Sequence, residues 1–302
     1  MYDVIIIGSG VAGLTAAIYA RSRSLKTAVF EKEENVGGII RGVSFVTHYP
    51  GVSYNERGDE FVSKIEDQTR DAGAEIIHEE VTKVDLNADP KVVYTNNGKY
   101  EAKKIVIANG TAPRKLDCHS EDNDTLISYD AFADSSKAFG KEVFIVGGSD
   151  GAVKESIFLA SLANKVHITH QGEALTAIEA FQNEVNSKNN IEVHLNTRID
   201  SISGESGNVT VKLRDVKTDE ITEVSGDHYV FAYIGGVPNT DLYEGLDLTD
   251  KGYIVIDKNM KTNIDGVYAA GDIVDNDVRQ ISTAASEGTI AAIRIADELK
   301  NA

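Results

Sequence analysis

The stretch Val4 to Gly13, Val-Ile-Ile-Ile-Gly-Ser-Gly-Val-Ala-Gly, limits what this chain can fold into more than any other. Four apolar β-formers run into three spaced glycines and then into the helix-prone Leu14 to Arg21. That is the strand, glycine turn and helix order of a dinucleotide-binding unit. Gly8 permits a tight turn, Gly10 lets backbone approach a pyrophosphate, and Gly13 lets helix and strand pack closely. Ser9, Val11 and Ala12 complete the cradle, and the helix behind them points its amide N–H groups and positive dipole end at phosphate. Ala28 to Phe30 reads as the next strand, with Glu31 at its end to accept hydrogen bonds from a ribose and Lys32 beside it.

The same order returns in mid-chain. Val143 to Val146 is a second four-residue apolar strand, followed by Gly147-Gly148-Ser149-Asp150-Gly151-Ala152 and a helix-prone run to about Leu162. Val166 to Thr169 reads as the next strand and ends at His170. Glu31 follows Gly8 by 23 residues, and His170 follows Gly147 by the same 23. Roughly 20 separate a glycine turn from its ribose-contacting residue. Hairpins recur too. Val81 to Val84 and Val92 to Tyr94, with a turn at Asn97-Gly98, precede the buried strand Ile105 to Ala108 and Asn109-Gly110. Val209 to Leu213 and Glu220 to Val224 precede Tyr229 to Ile234 and Gly235-Gly236. Two copies of one nucleotide-binding architecture are therefore nested in the chain.

A third segment, Val267-Tyr268-Ala269-Ala270-Gly271-Asp272, leads through Arg279-Gln280 to a helix from about Ser282. Alone, a strand ending in Gly-Asp is as readily a surface turn as a cofactor contact. Beside the first fingerprint, it reads as the returning half of an FAD site, its carboxylate placed for sugar-alcohol hydroxyls. The prediction is an α/β chain of two nested Rossmann-like FAD/NAD(P)-binding domains, three-layer β/β/α, each with a small antiparallel meander. Residues 1–115 and 245–302 form the FAD domain and 116–244 the NAD(P)-binding-like domain, with hinges near Arg114-Lys115 and Asn239-Thr240. Composition narrows the partners. With 30 basic against 48 acidic residues the formal net charge is −18, which disfavours nucleic acid and anionic membrane. Cys118, the single cysteine, excludes an internal disulfide and fits a reducing cytoplasm. No apolar run approaches a membrane span and no leader pattern opens the sequence, so the expected location is cytoplasmic. His167 and His170, spaced i and i+3, carry little weight as metal ligands, and no metal is expected.

Gly8 to Gly13, Gly37-Gly38, Tyr49-Pro50-Gly51, Ala108-Asn109-Gly110, Pro238-Asn239 after Ile234-Gly235, and Ala269 to Asp272 with Arg279-Gln280 together resemble the low-molecular-weight thioredoxin reductase family of flavoproteins along the whole chain. The resemblance implies an oxidoreductase that binds FAD with the outer thirds of the chain and a nicotinamide nucleotide with the middle, and a homodimer. It implies positions near the flavin ring for Gly38, Ile39, His48, Arg279 and Gln280, and further cofactor contacts from Val81, Ala108, Asn109, Gly110, Gly271 and Ile281. Asp272 is expected at the ribityl chain, and Tyr49 either stacks on the ring or simply packs.

The chain departs from that family at Ile39, which replaces the family's usual glutamine near the ring, at the redox cysteines and at the nicotinamide site. Asp130 and Ala133 occupy the positions of the family's redox cysteines, and neither can carry a thiolate. The resemblance then points to the branch without a Cys-x-x-Cys, which includes thioredoxin-reductase-like ferredoxin/flavodoxin NAD(P) reductases. Electrons would pass from NAD(P)H through FAD directly to an external acceptor, a ferredoxin or flavodoxin or a small molecule. In the middle domain the expected nucleotide contacts are Gly148, Ser149, Asp150, Gly151, His170, Glu173 and Gly235. No arginine follows His170 to receive a 2′-phosphate, whereas Glu173 suits a 2′-hydroxyl, so NADH is favoured over NADPH. Two alternatives stay open: a flavoenzyme taking electrons from a reduced protein docked near Arg21, Arg23 and Lys26, and a non-catalytic flavin-binding regulatory protein.

Overall fold

The computed structural model describes residues 1–120 and 124–301. The chain divides into two compact units, Met1–Arg41 with Phe45–Ala112 and Val237–Ala302, and Gly42–Ser44 with Pro113–Gly236. The chain's return to the first unit comes at Val237, ahead of residue 245 where the sequence placed it, because Tyr243 is buried in the first unit's core and Leu242 packs against it. The connecting segments Thr111–Pro113 and Gly236–Pro238 pair as two short strands. Among the described residues, no helix is long and apolar enough to cross a membrane.

In the first unit, β1 (Tyr2–Ile7), β2 (Thr27–Glu31), β3 (Glu75–His78), β4 (Val81–Asp85), β5 (Lys91–Thr95) and β6 (Lys99–Ile107) form one sheet in the order β3-β2-β1-β6-β5-β4. β1 lies parallel between β2 and β6, with Ile5 opposite Ala28 and Ile105. Covered on both faces from Val4 to Ile7, it is continuously apolar there rather than alternating. On the edge away from β1, the long β6 serves two partners: Lys99 to Ala102 pair antiparallel with β5, and Ile105 to Ile107 pair parallel with Val267–Ala269. Helix α1 (Val11–Arg21) and the C-terminal helix (Ile281–Asn301) cover one face. Ala16, Ala17, Ala291 and Ala292 make their contact small enough for close approach, and at Gly288 a Cβ would come within 2.2 Å of the Ala12 carbonyl oxygen. Helix α2 (Gly58–Asp71) buries Phe61 and Val62 against Val11, Leu14 and Val36.

The second unit repeats the plan. Strands β7 (Glu142–Val146), β8 (Lys165–His170), β9 (Ile191–Leu195) and β13 (His228–Ala232) lie parallel in the order β9-β8-β7-β13, with Ile127–Ser128 beyond β13. Helices α3 (Asp150–Leu159) and α4 (Glu179–Ser187) pack on the face of Val143 and Ile145. The meander of β10 (Thr197–Glu205), β11 (Asn208–Asp215) and β12 (Ile221–Gly226) covers Phe144 and Val146 on the other. Both units are thus three-layer β/β/α.

Candidate functional site

The turn after β1 shows why each glycine is needed. Gly8 has φ +101°, and a Cβ there would lie 2.5 Å from the Ala108 oxygen. At Gly13 a Cβ would lie 2.0 Å from the Gly8 oxygen, so α1 touches the turn backbone to backbone. Gly10 differs, since a Cβ there would meet nothing within 4 Å. Its missing side chain leaves open space in front of a helix whose N-terminus has no side-chain cap and no acid in its first turn. Val11 and Ala12 are buried behind it. Such an end offers free N–H donors and positive potential to an anion. The Glu31 carboxylate lies beside it, accepting from the backbone N of Ser9 at 3.1 Å, from Ser9 Oγ, and from the N–H of Glu33. Lys32 is exposed and paired with Glu33. Gly38, with φ +55°, passes over the turn: a Cβ there would lie 3.6 Å from the Gly10 Cα.

The returning segment completes the arrangement. Gly271, with φ +85°, packs against Ala12, and its N–H donates to Glu287 at 2.6 Å. Glu287 also accepts from the Asn276 amide, and burial pushes its carboxyl upward. Glu287 and Gly288 were not singled out from the sequence. Their signal was an acid and a glycine on the apolar face of an otherwise regular helix. Burial raises Asp272 too, with Arg279 opposing the shift. The Arg279 guanidinium lies 4.1 Å from the Tyr253 ring centroid, and its Nε is buried without a hydrogen-bond partner. The open position at Gly10, the uncapped α1 and this orphaned donor all fit a bound anionic dinucleotide. An open cavity of about 620 Å³ adjoins α1, lined by Val11, Thr15, Tyr49, Phe61, Lys64 and Ser282 among others. Tyr49 packs edge-on against Phe61 at 5.3 Å, which is the packing alternative for that ring.

Not every expected contact points at a ligand. Asn109 and Asn239 each donate a side-chain amide to the other's carbonyl, and Tyr243 donates to Asn109 Oδ1 at 2.9 Å. The Asn109 side chain is thereby committed to the chain, while Ala108 and Gly110 remain as backbone. Val81 is buried in β4. Ile39 and Gln280 are exposed, Ile281 opens the C-terminal helix, and exposed His48 shares a hydrogen bond with Thr47. Arg21 donates to the carbonyls of Ala72 and Leu25 and so stitches loops together rather than offering a free charge.

The second unit's glycine turn is more encumbered. Gly147, with φ +138°, closes against the Tyr233 oxygen. The Gly148 carbonyl accepts from the N–H groups of Thr176 and Ala177, and Asp150 accepts from that of Ile178. Residues 176–178 are therefore tied to the turn. The His170 ring lies 2.6 Å from where a Cβ would stand at Gly148. Ser149 caps α3 without a side-chain bond, Gly151 is open, and Asp150 sets a negative charge in the first turn. Glu173 is exposed and paired with Lys217, and the Gly235 carbonyl accepts from Arg114.

Asp130 is a turn-former: its Oδ1 accepts from the N–H groups of Phe132 and Ala133 at 3.0 and 2.9 Å, closing the loop by side-chain hydrogen bonds. Cys118 is a half-buried free thiol whose pKa is raised by burial and by Asp117. His167 does not pair with His170; its ring meets His194.

Comparison with known proteins agrees with this geometry. Residues 2–288 match the family described as pyridine nucleotide-disulphide oxidoreductase. A thioredoxin reductase from Peptoclostridium acidaminophilum is 37% identical over 300 residues, covering 97% of this chain and 95% of that protein. A 34.2 kDa protein in the rubredoxin operon of Clostridium pasteurianum is 37% identical over 295 residues, 96% and 95% of the two chains. Thioredoxin reductase from Lactococcus lactis superposes with a TM-score of 0.94 at 31% identity, covering 100% of both chains.

Proposed function

The chain belongs to the pyridine nucleotide-disulphide oxidoreductase family, and on that premise we propose a reductase that passes electrons from NADH or NADPH, by way of FAD, directly to an external acceptor. It is a thioredoxin reductase-like flavoprotein oxidoreductase, with FAD and NAD(P)H as the family's cofactors. The observation that carries the finer reading is the single cysteine, Cys118; by the resemblance, Asp130 and Ala133 fall where the family's redox cysteines would stand. Without a second thiol no intrachain dithiol can form, so the relay of a dithiol reductase has no chemical carrier. The backbone bonds of Asp130 support a structural role for that loop.

Each residue near the proposed FAD site has a physical task. The open backbone at Gly10 and the free N–H groups of α1 bind pyrophosphate. Glu31 accepts from the adenosine ribose in exchange for its bonds to Ser9, and Asp272 accepts from the ribityl hydroxyls. Burial of Glu287 beneath Gly271 fixes the backbone that presents Asp272. Bound FAD supplies a two-electron acceptor that can return electrons singly or in pairs. In the second unit, absence of arginine from residues 170–176 favours NADH. The rubredoxin-operon relative supports a small redox protein as acceptor.

The encumbered turn at Gly148 and Asp150 favours one alternative, in which electrons arrive from a reduced protein instead. Anaerobic rapid mixing separates the readings. Bleaching of bound FAD by NADH, faster than by NADPH, followed by reoxidation by rubredoxin, ferredoxin or flavodoxin but not by thioredoxin, is the expected result. Bleaching only by a reduced protein supports the alternative. No bleaching by any donor leaves a non-catalytic flavin-binding protein.

A further inference from the structure

We propose that the second unit's parallel sheet carries a divalent transition-metal site, with His167, His194 and Glu192 as ligands and Glu142 as the group that orients His167. The inference is independent of how the nicotinamide nucleotide binds. Strands β7, β8 and β9 are adjacent and parallel, with Phe144 opposite His167 and His167 opposite Glu192. Strand alternation puts Glu142, His167, Glu192 and His194 on one face, opposite the face that α3 and α4 cover. His167 Nδ1 is 3.0 Å from His194 Nε2 and 4.0 Å from Glu192 Oε2, and His194 Nε2 is 3.7 Å from Glu192 Oε1. In a tetrahedral site with bonds of about 2.1 Å, donor atoms stand about 3.4 Å apart, so these three need shifts of less than about 1 Å. Among the described residues, no other trio of His, Cys, Asp or Glu brings its donor atoms together in this way.

The surroundings favour a ligand role over a simple hydrogen-bonded pair. His167 Nε2 lies 3.2 Å from Glu142 Oε2 and donates its N–H there, which leaves the Nδ1 lone pair facing His194 and Glu192. A carboxylate behind a histidine is the support that metal-binding imidazoles use to fix tautomer and orientation. Phe144 stacks on the His167 ring at 4.7 Å and holds its plane. Burial lowers the pKa of both histidines. Access is from the Glu192 side, where that side chain is 49% exposed against 7% for His167. Lys165 competes by pairing with Glu192, and a bound cation displaces its ammonium group. Two imidazoles and one carboxylate suit zinc and leave a position for water. Bound zinc ties the edge strand β9 to the interior strand β8.

The test uses untagged, flavin-loaded, chelator-treated protein titrated with Zn²⁺ against a chromophoric chelator, with Co²⁺ absorption as the coordination readout. One zinc per chain, a four-coordinate cobalt spectrum and a higher melting temperature with zinc are expected. His194→Gln and Glu192→Gln should each weaken binding about tenfold or more, and Glu142→Gln should weaken it about as much by loosening His167. His78→Gln, in the first unit, should change nothing. Flavin absorbance and circular dichroism verify that each variant is folded, and Glu192, being half exposed, is the variant least exposed to folding failure. Absence of stoichiometric zinc binding by the parent chain, or equal affinity in the His194 and Glu192 variants, overturns the proposal.

Discussion

Gly10 and Gly13 lie in one turn and answer to different constraints. A methyl group at 13 collides with the Gly8 carbonyl, so Gly13→Ala should cost several-fold in soluble yield and lower the melting temperature with or without FAD. A methyl at 10 enters empty space, so Gly10→Ala should melt like the parent as apoprotein yet bind FAD about tenfold or more weakly, read by flavin fluorescence quenching. Equal FAD affinity in that variant would remove the pyrophosphate from this turn. Tyr243 makes a separate case. Its buried hydroxyl donates to Asn109, which in turn holds residue 239, so Tyr243→Phe should cost about 1–2 kcal/mol in urea unfolding by leaving Asn109 Oδ1 short of a donor.

Among elements, the C-terminal helix is pinned electrostatically as well as by its alanine seam. Glu298 pairs with Lys104 on β6 at 2.8 Å and with Lys261. Partial burial alone would raise its carboxyl, but these two ammonium groups overcome it and hold the pKa at about 2, below the ordinary 4.5. A lowered folded pKa means stability that is fully present above the unfolded value and is lost as pH falls from about 4.5 toward 2. Glu298→Gln should therefore lower stability by about 1–2 kcal/mol at pH 7, after allowing for solvent screening, and the gap from the parent should narrow as urea midpoints are followed down to pH 3. The elements legible in the sequence were those with strong local grammar. The runs at Val4 and Val143 entering glycine turns became β1 and β7. Strands β3 and β10 and helix α4 carried no comparable signal, because their apolar residues are few and their packing is set by neighbours distant in sequence. The site divides similarly. Backbone-driven positions such as Gly8 and Gly271 could be read from turn chemistry, whereas the Gly271–Glu287 bond and the meeting of His167 with His194 depend on tertiary placement.

At the scale of the molecule, a net charge of −18 governs encounter before any contact forms. The electrostatic reach of that charge is about 30 Å at 0.01 M salt and about 8 Å at 0.15 M. An anionic acceptor therefore meets repulsion that salt relieves, and a cationic one meets attraction that salt removes. If electrons leave the reduced protein directly for an external acceptor, reoxidation by ferricyanide should accelerate as ionic strength rises, while reoxidation by a cationic cobalt complex should slow. An acidic carrier protein that docks productively would depart from the ferricyanide trend, with a rate that falls with salt, because its contact must then rest on a local basic surface. Arg21 is committed to loop carbonyls, so Arg23→Glu and Lys26→Glu are the substitutions to pair with that measurement. If the carrier's rate drops in those variants while ferricyanide reoxidation is unaffected, the dock lies there. If both are unchanged and the carrier follows the ferricyanide trend, the acceptor reaches the cofactor without that basic surface.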